Sequence, residues 1–182
     1  MNLHKAMVQS CDVYFYTLGH RLGIDNLAKY AKKLGLGEVT GVELRGEKPG
    51  LVPSTRWKQK NKKEPWFPGE TISASIGQGY NLVTPLQSVS MISTIASGGL
   101  LVRPYLVKKI ESSDGKLIKE FFPEVKRNVG IDPDVLKHIK EGLRGVVHDA
   151  RGTGHRARIK NITVSGKTGT AQVVGMKDSD EI

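Results

Sequence analysis

The dipeptide Asp114-Gly115, inside LLVRPYLVKKIESSDGKLIKEFF, most constrains the fold. A tight turn needs residues that tolerate positive φ. Asp-Gly supplies them between two strand-like runs, so the stretch reads as a β-hairpin and any sheet built on it is antiparallel. The other periodic stretches are mostly helical. Asn2 can cap a short helix over Leu3 to Gln9, and a second helical stretch, VYFYTLGHRLG, follows Ser10-Cys11-Asp12. Asp25 can cap a third helix with Leu27, Tyr30, Ala31 and Leu34 on one face, stopped by Gly35 and Gly37. Thr84-Pro85 starts another, whose buried face is expected to be Leu86, Val89, Ile92, Ile95 and Ala96, and Gly98-Gly99 ends it. Asp132-Pro133 starts the last, with Val135, Leu136, Ile139, Leu143 and Val146 at core spacing. NITVSGKTGTAQVV then alternates like a strand interrupted by small and polar residues. Helices, a hairpin, a helix and a strand predict an α+β domain with an antiparallel sheet.

Between Arg45 and Lys63 periodicity is lost, and Arg45, Lys48, Arg56, Lys58, Lys60, Lys62 and Lys63 face the single acid Glu47. That pattern predicts a solvated basic loop, pinned to the body by Trp66 and Phe67 between their flanking prolines. The chain thus divides into a helical part over 1–44, a basic loop and GQG segment over 45–83, and a helix, hairpin, helix and strand over 84–182.

A length of 182 residues suits one domain, and 28 Lys and Arg against 18 Asp and Glu give a charge of +10. Such a balance suggests an anionic partner, whether nucleic acid, a lipid surface or an acidic substrate, without choosing among them. Cys11 is the one cysteine, which excludes an internal disulfide and a zinc cluster and leaves the redox compartment open. It reads as a small buried filler. His4, His20, His138, His148 and His155 lack ligand spacing, so no metal or cofactor is expected. No apolar run approaches the ~18 residues of a membrane helix, and no signal-peptide segment opens the chain. Helical spacing already present at Leu3, Ala6 and Met7, and a stop just after a strand, predict a fragment.

Lys167 has three readings: a phosphate ligand, an acid/base group, or a solubilising edge lysine. A phosphate-binding loop requires a glycine at position 161, which is Asn, and a helix after the lysine, where a strand is expected. Gly77 and Gly79 of IGQGY lack the third glycine and the βαβ unit of a dinucleotide site. Acyl transfer from a peptide carbonyl fits better. It needs an activated hydroxyl, a cation that tunes proton transfer and binds a carboxylate, and N–H donors for the oxyanion. A lysine on an edge strand meets the second need; Thr168 and Thr170 hydroxyls can bind a carboxylate, and Gly169 lets substrate approach the backbone.

Lys-Thr-Gly belongs with Ser-x-x-Lys and Ser-Asp-Asn in the signature of penicillin-interacting enzymes, and Ser10-Cys11-Asp12 is a Ser-x-Asp variant of the second in the expected order. The blocks QSCDVYFYTLGHRLGID, TRWKQKNKKEPWFPGETISASIGQGYNLVTPLQ and VSGKTGTAQVVG together resemble the transpeptidase domain of class B penicillin-binding proteins, over nearly the whole chain. The resemblance implies the C-terminal part of one transpeptidase domain of the penicillin-binding protein/β-lactamase-like fold, and a peptidoglycan DD-transpeptidase acting in cell-wall elongation through a serine acyl-enzyme. It implies that Ser10 shuttles a proton, Asp12 stands where Asn is usual, and Lys167, Thr168 and Thr170 bind the carboxylate of a stem peptide or β-lactam. The Thr170 N–H would supply half of the oxyanion hole. It also implies a parent on the extracytoplasmic face of the cytoplasmic membrane, anchored by an N-terminal helix not in this chain, with a rod-elongation glycosyltransferase as partner and no nucleic acid. Gln78 and Tyr80 resemble a family segment near the cleft and receive no catalytic role.

The resemblance departs from the pattern at the nucleophile, because only nine residues precede Ser10 and none begins Ser-x-x-Lys. Ser113-Asp114-Gly115-Lys116 matches formally, but in a hairpin turn and in the wrong order. Two alternatives stand beside this reading: a basic nucleic-acid-binding module using Lys58 to Lys63, which lacks a recognisable readout motif, and a β-lactamase-like hydrolase on the same scaffold. Ser10 and Asp12 also have a plain use as caps of the following helix.

Overall fold

The computed structural model describes residues 1–171, which fall in two compact units: Met1–Asp12 with the chain from Glu141 onward, and Val13–Lys140. In chain order the elements are α1 (Leu3–Val8), α2 (Asp12–Leu22), α3 (Ile24–Lys33), α4 (Thr55–Lys62), α5 (Pro68–Ser75), α6 (Pro85–Ala96), β1 (Leu100–Arg103), β2 (Lys109–Glu111), β3 (Leu117–Glu120), β4 (Glu124–Asn128) and α7 (Pro133–His148). A short 3-10 turn over His155–Ala157 follows.

The larger unit is α+β with antiparallel pairing. β1 pairs β4, with Leu101 opposite Arg127, and β2 pairs β3 inside the connection between them, with Ile110 opposite Lys119. The hairpin therefore lies where Asp114-Gly115 places it, but its turn differs. Only Gly115 has positive φ, at +81°. Gly115 N donates to Ser112 O at 3.0 Å and Ser112 N to Lys116 O at 2.9 Å, the pattern of a three-residue loop with a glycine bulge. The upstream run is also split into β1 and β2, because Pro104 has no N–H to continue a ladder. β4, which pairs with β1, has no strong periodic signal of its own.

Asp25 does not cap α3. Gly23 holds the N-cap position with φ +74°, and the Asp25 carboxylate accepts from Thr55 N at 3.0 Å and Thr55 Oγ1 at 2.8 Å, fastening the start of α4. The solvated loop expected over 45–63 is corrected from Ser54 onward, where Ser54 Oγ accepts from Trp57 N and opens α4. Lys58 on that helix is 1 % exposed. Its Nζ lies 2.5 Å from Glu70 Oε1, 3.4 Å from Glu64 Oε2 and 4.2 Å over the Phe67 ring. Burial opposes the Lys58 charge, but hydrogen bonds to Glu70 and Glu64 outweigh it and raise the pKa. Burial likewise opposes the Glu70 charge, and Lys58 with the Phe67 N–H holds that carboxyl below its ordinary value. Of the two expected anchors, Trp66 is half-buried, with Nε1 donating to Thr71 Oγ1 at 2.8 Å, whereas Phe67 is exposed.

On α6 the cap is the predicted one: Thr84 Oγ1 accepts from Gln87 N at 3.2 Å and Gln87 Oε1 accepts from Thr84 N at 2.9 Å. The buried face is not. Gln87, Ser90 and Thr94 are buried, whereas Val89 is 61 % and Ile92 40 % exposed. Burial of these polar groups is offset by hydrogen bonding, since Gln87 Nε2 donates to Glu38 O and Pro49 O, both at 2.7 Å, and Thr94 Oγ1 within the helix to Ser90 O at 2.8 Å. Among the described residues no helix is long and apolar enough to cross a membrane.

In the smaller unit α1 lies against the last turns of α7. A Cβ on Gly142 would come 2.7 Å from Met7 Sδ, and one on Gly145 2.7 Å from Val8 Cγ2, so a side chain at either position would have to displace its neighbour on α1. Ala6, Met7, Val8, Leu143, Val146 and Val147 form the core, as the α7 periodicity predicts for Leu143 and Val146. The strand expected over Asn161–Val174 is not formed within the described residues: Ile162 makes one isolated bridge to Ile159, and residues 163–171 pair with no strand. A strand exists only by its ladder, and here Val164 N donates to His148 Nε2 and Gly166 N to Leu143 O instead. Gln172 to Val174 lie outside the described residues.

Candidate active site

Ser10 follows the C-terminus of α1. Ser10 N donates to Met7 O at 3.2 Å and Cys11 N to Ala6 O at 2.9 Å, with Ser10 at φ +53°. These are the two bonds of a Schellman motif, and Ser10 holds the left-handed position that glycine ordinarily fills. A side chain there costs about 1 kcal/mol, and such strain gathers at functional positions. The turn sets Asp12 in the first turn of α2. Cys11 is half-buried, not the buried filler expected.

Across 157 positions of sequence, Lys167 Nζ donates to Ser10 Oγ at 2.8 Å. The same ammonium donates to Thr168 O at 2.9 Å and stands 3.5 Å from Thr168 Oγ1. Burial lowers the Lys167 pKa, partly opposed by the Asp12 carboxylate, which raises it. The result is an amine that gives up its proton more readily than a surface lysine, in contact with a serine hydroxyl. That pair can pass a proton in either direction.

Thr168, Gly169 and Thr170 lie exposed along the same segment, and a Cβ on Gly169 would meet nothing within 4 Å. Open space above the backbone suits an extended ligand. The structure thus brings Ser10 and Lys167 into contact and sets Asp12 where its charge acts on Lys167. Thr168, Gly169 and Thr170 follow in sequence. Sequence reasoning missed Thr153, whose Oγ1 lies 2.8 Å from Thr168 Oγ1; a threonine flanked by two glycines was the available signal. Ser113 sits in the β2–β3 turn, so its match to Ser-x-x-Lys is a turn sequence. Tyr80 packs on Trp57 and Trp66, with centroids 5.1 and 6.3 Å apart. Among the described residues no group of three or more His, Cys, Asp or Glu is placed to hold a metal ion.

Residues 1–181 match the family described as penicillin binding protein transpeptidase domain. The peptidoglycan D,D-transpeptidase MrdA of Haemophilus influenzae is 37 % identical over 99 % of this chain and 28 % of its own length. A penicillin-binding protein 2 of Pseudomonas aeruginosa, solved in complex with WCK 5153, superposes with TM-score 0.80 at 37 % identity, covering 95 % of this chain and 39 % of the other. The Helicobacter pylori PBP2 solved in complex with MreC superposes with TM-score 0.79 at 34 % identity, covering 95 % of this chain and 31 % of the other. The chain spans less than a third of the curated MrdA it matches. A contact between Ser-x-Asp and Lys-Thr-Gly, a whole-chain family match and agreement in fold lead to one conclusion: the chain belongs to the penicillin-binding protein transpeptidase domain family.

Proposed function

We propose that this chain is part of a peptidoglycan DD-transpeptidase that cross-links stem peptides through a serine acyl-enzyme. The 2.8 Å contact of Lys167 Nζ with Ser10 Oγ carries the reading. A nucleophilic serine from a Ser-x-x-Lys helix outside these residues attacks the carbonyl of the D-Ala-D-Ala bond. Its proton passes by way of the Ser10 hydroxyl to the leaving amine, D-alanine departs, and the acyl group goes to the amine of a neighbouring strand. Lys167 tunes this relay and faces the substrate carboxylate together with the Thr168 and Thr170 hydroxyls. The Thr170 N–H contributes to the oxyanion hole, Gly169 leaves room for the peptide, and Asp12 adjusts the proton balance of Lys167. A β-lactam enters as an analogue of the same peptide.

Localisation and partners are inferred by analogy with the relatives. The parent works on the outer face of the cytoplasmic membrane, anchored by a helix outside this chain, beside a rod-elongation glycosyltransferase. The H. pylori PBP2 solved in complex with MreC supports work within a protein assembly. A nucleic-acid footprint is disfavoured because Lys58, central to the basic stretch, is buried against Glu70.

Labelling with a fluorescent penicillin tests the assignment. The full-length parent is expected to bind it covalently, and Lys167→Ala to lower the labelling rate about 100-fold or more. A folded parent that takes no label overturns the reading.

A further inference from the structure

Between α7 and the Lys-Thr-Gly segment the chain passes through Gly152-Thr153-Gly154, which the mechanism above does not use. The stretch is closely fitted. Gly152 N donates to Asp149 O at 3.0 Å and Gly154 N to Val146 O at 2.8 Å, and a Cβ on Gly152 would run into the Val146 carbonyl. Thr153 N donates to Val8 O at 3.2 Å, tying it to the end of the helix that leads into Ser10. With its backbone held on both sides, Thr153 places Oγ1 2.8 Å from Thr168 Oγ1.

We infer that Thr153 is a positioning residue for substrate carboxylate binding: its hydroxyl donates to Thr168 Oγ1 and leaves the Thr168 hydroxyl hydrogen for the carboxylate. This rests on the reading of Lys-Thr-Gly as the carboxylate site. A hydroxyl has one hydrogen and two acceptor sites. If Thr168 gave its hydrogen to Thr153, only lone pairs would face an anion. Lys167, which can only donate, lies 3.5 Å from the same oxygen and faces one of its two acceptor sites, which leaves the second for Thr153 and the hydrogen for the anion. With Thr153 donating, the two hydroxyls and the carboxylate form one directed chain in which each bond polarises the next.

The test uses the full-length parent and a fluorescent penicillin, which carries the carboxylate in question. Thr153→Val keeps the shape and removes the donor, Thr153→Ala removes it without added bulk, and Thr153→Ser retains it. Both donor-free variants are expected to raise the half-saturating penicillin concentration about 10-fold, the scale of one hydrogen bond to a charged ligand, with the limiting acylation rate unchanged. Thr153→Ser restores native behaviour, and Thr153→Val adds nothing in a Thr168→Val background. Native labelling in the donor-free variants, no rescue by serine, or an undiminished effect beside Thr168→Val overturns the inference while the transpeptidase reading stands. A native parent that takes no label overturns both.

Discussion

Lys167 Nζ and Ser10 Oγ lie 2.8 Å apart, joining a lysine held below its ordinary pKa to a serine held in a left-handed backbone. Neither feature favours stability. Both bring a readily deprotonated amine to a hydroxyl, which suits a proton relay.

The first expectation concerns the lysine. Burial lowers its pKa, so at about pH 8 Lys167 holds a larger neutral fraction than an unperturbed lysine, whose pKa is about 10.4. It should be among the first exposed amines modified by a limiting amine-reactive reagent, read by peptide mass spectrometry. Asp12 raises the pKa, so Asp12→Asn should speed modification further. Equal rates across the exposed lysines would contradict the burial argument.

Ser10 gives the second. Ser10→Gly removes the left-handed penalty, and after the added freedom of the unfolded chain is subtracted it should stabilise the fold by up to about 0.5 kcal/mol, seen as a higher urea midpoint. Ser10→Ala keeps the strain and gains nothing. Both should lose penicillin labelling, which separates the stability of the turn from the use of its hydroxyl.

These two residues also mark what the sequence could reveal. The α6 cap, the position of the Asp-Gly hairpin and the buried Leu136, Leu143 and Val146 of α7 are local, written in residues a few positions apart, and they appear where local chemistry puts them, whereas Val135 at the same spacing is exposed. The Ser10–Lys167 contact spans 157 positions, and only the family pattern of motifs joins its ends. Lys58 escaped notice because a run of basic residues reads as solvated unless the acids that neutralise one member are seen; Glu70 is 12 positions away on another helix. The strand around Lys167 was expected from alternation, but alternation says which face is apolar, not whether a neighbour is there to pair.

Lys58 and Glu70 yield a pH dependence. The Glu70 pKa is lowered in the fold, so its contribution is full above the ordinary glutamate pKa and is lost as pH falls through the lowered value. The Lys58 pKa is raised, so its contribution is full below the ordinary lysine pKa and is lost only as pH rises through the raised value. Thermal stability should therefore decline below about pH 4, and Glu70→Gln should flatten that decline. Glu70→Gln alone should lower Tm more than Lys58→Met with Glu70→Gln, because the single change leaves a buried ammonium with only Glu64 nearby. Equal losses would mean that the pair is not closed to water.

The inverted face of α6 gives a prediction opposite to the one hydrophobicity would make. Gln87 is fully buried, donates to Glu38 O and Pro49 O, and accepts from Thr84 N, so Gln87→Leu swaps a polar side chain for an apolar one of similar size and leaves three backbone groups without that partner. A buried polar group left unsatisfied costs 1–3 kcal/mol, so the loss should be about 3 kcal/mol. Val89→Ser removes an apolar group from the exposed side and should change stability by no more than about 0.5 kcal/mol. Urea unfolding of the two variants separates the alternatives. If Val89→Ser is the more damaging, the apolar side of α6 is the covered one, and the hydrogen bonds of Gln87 do not decide which way the helix faces.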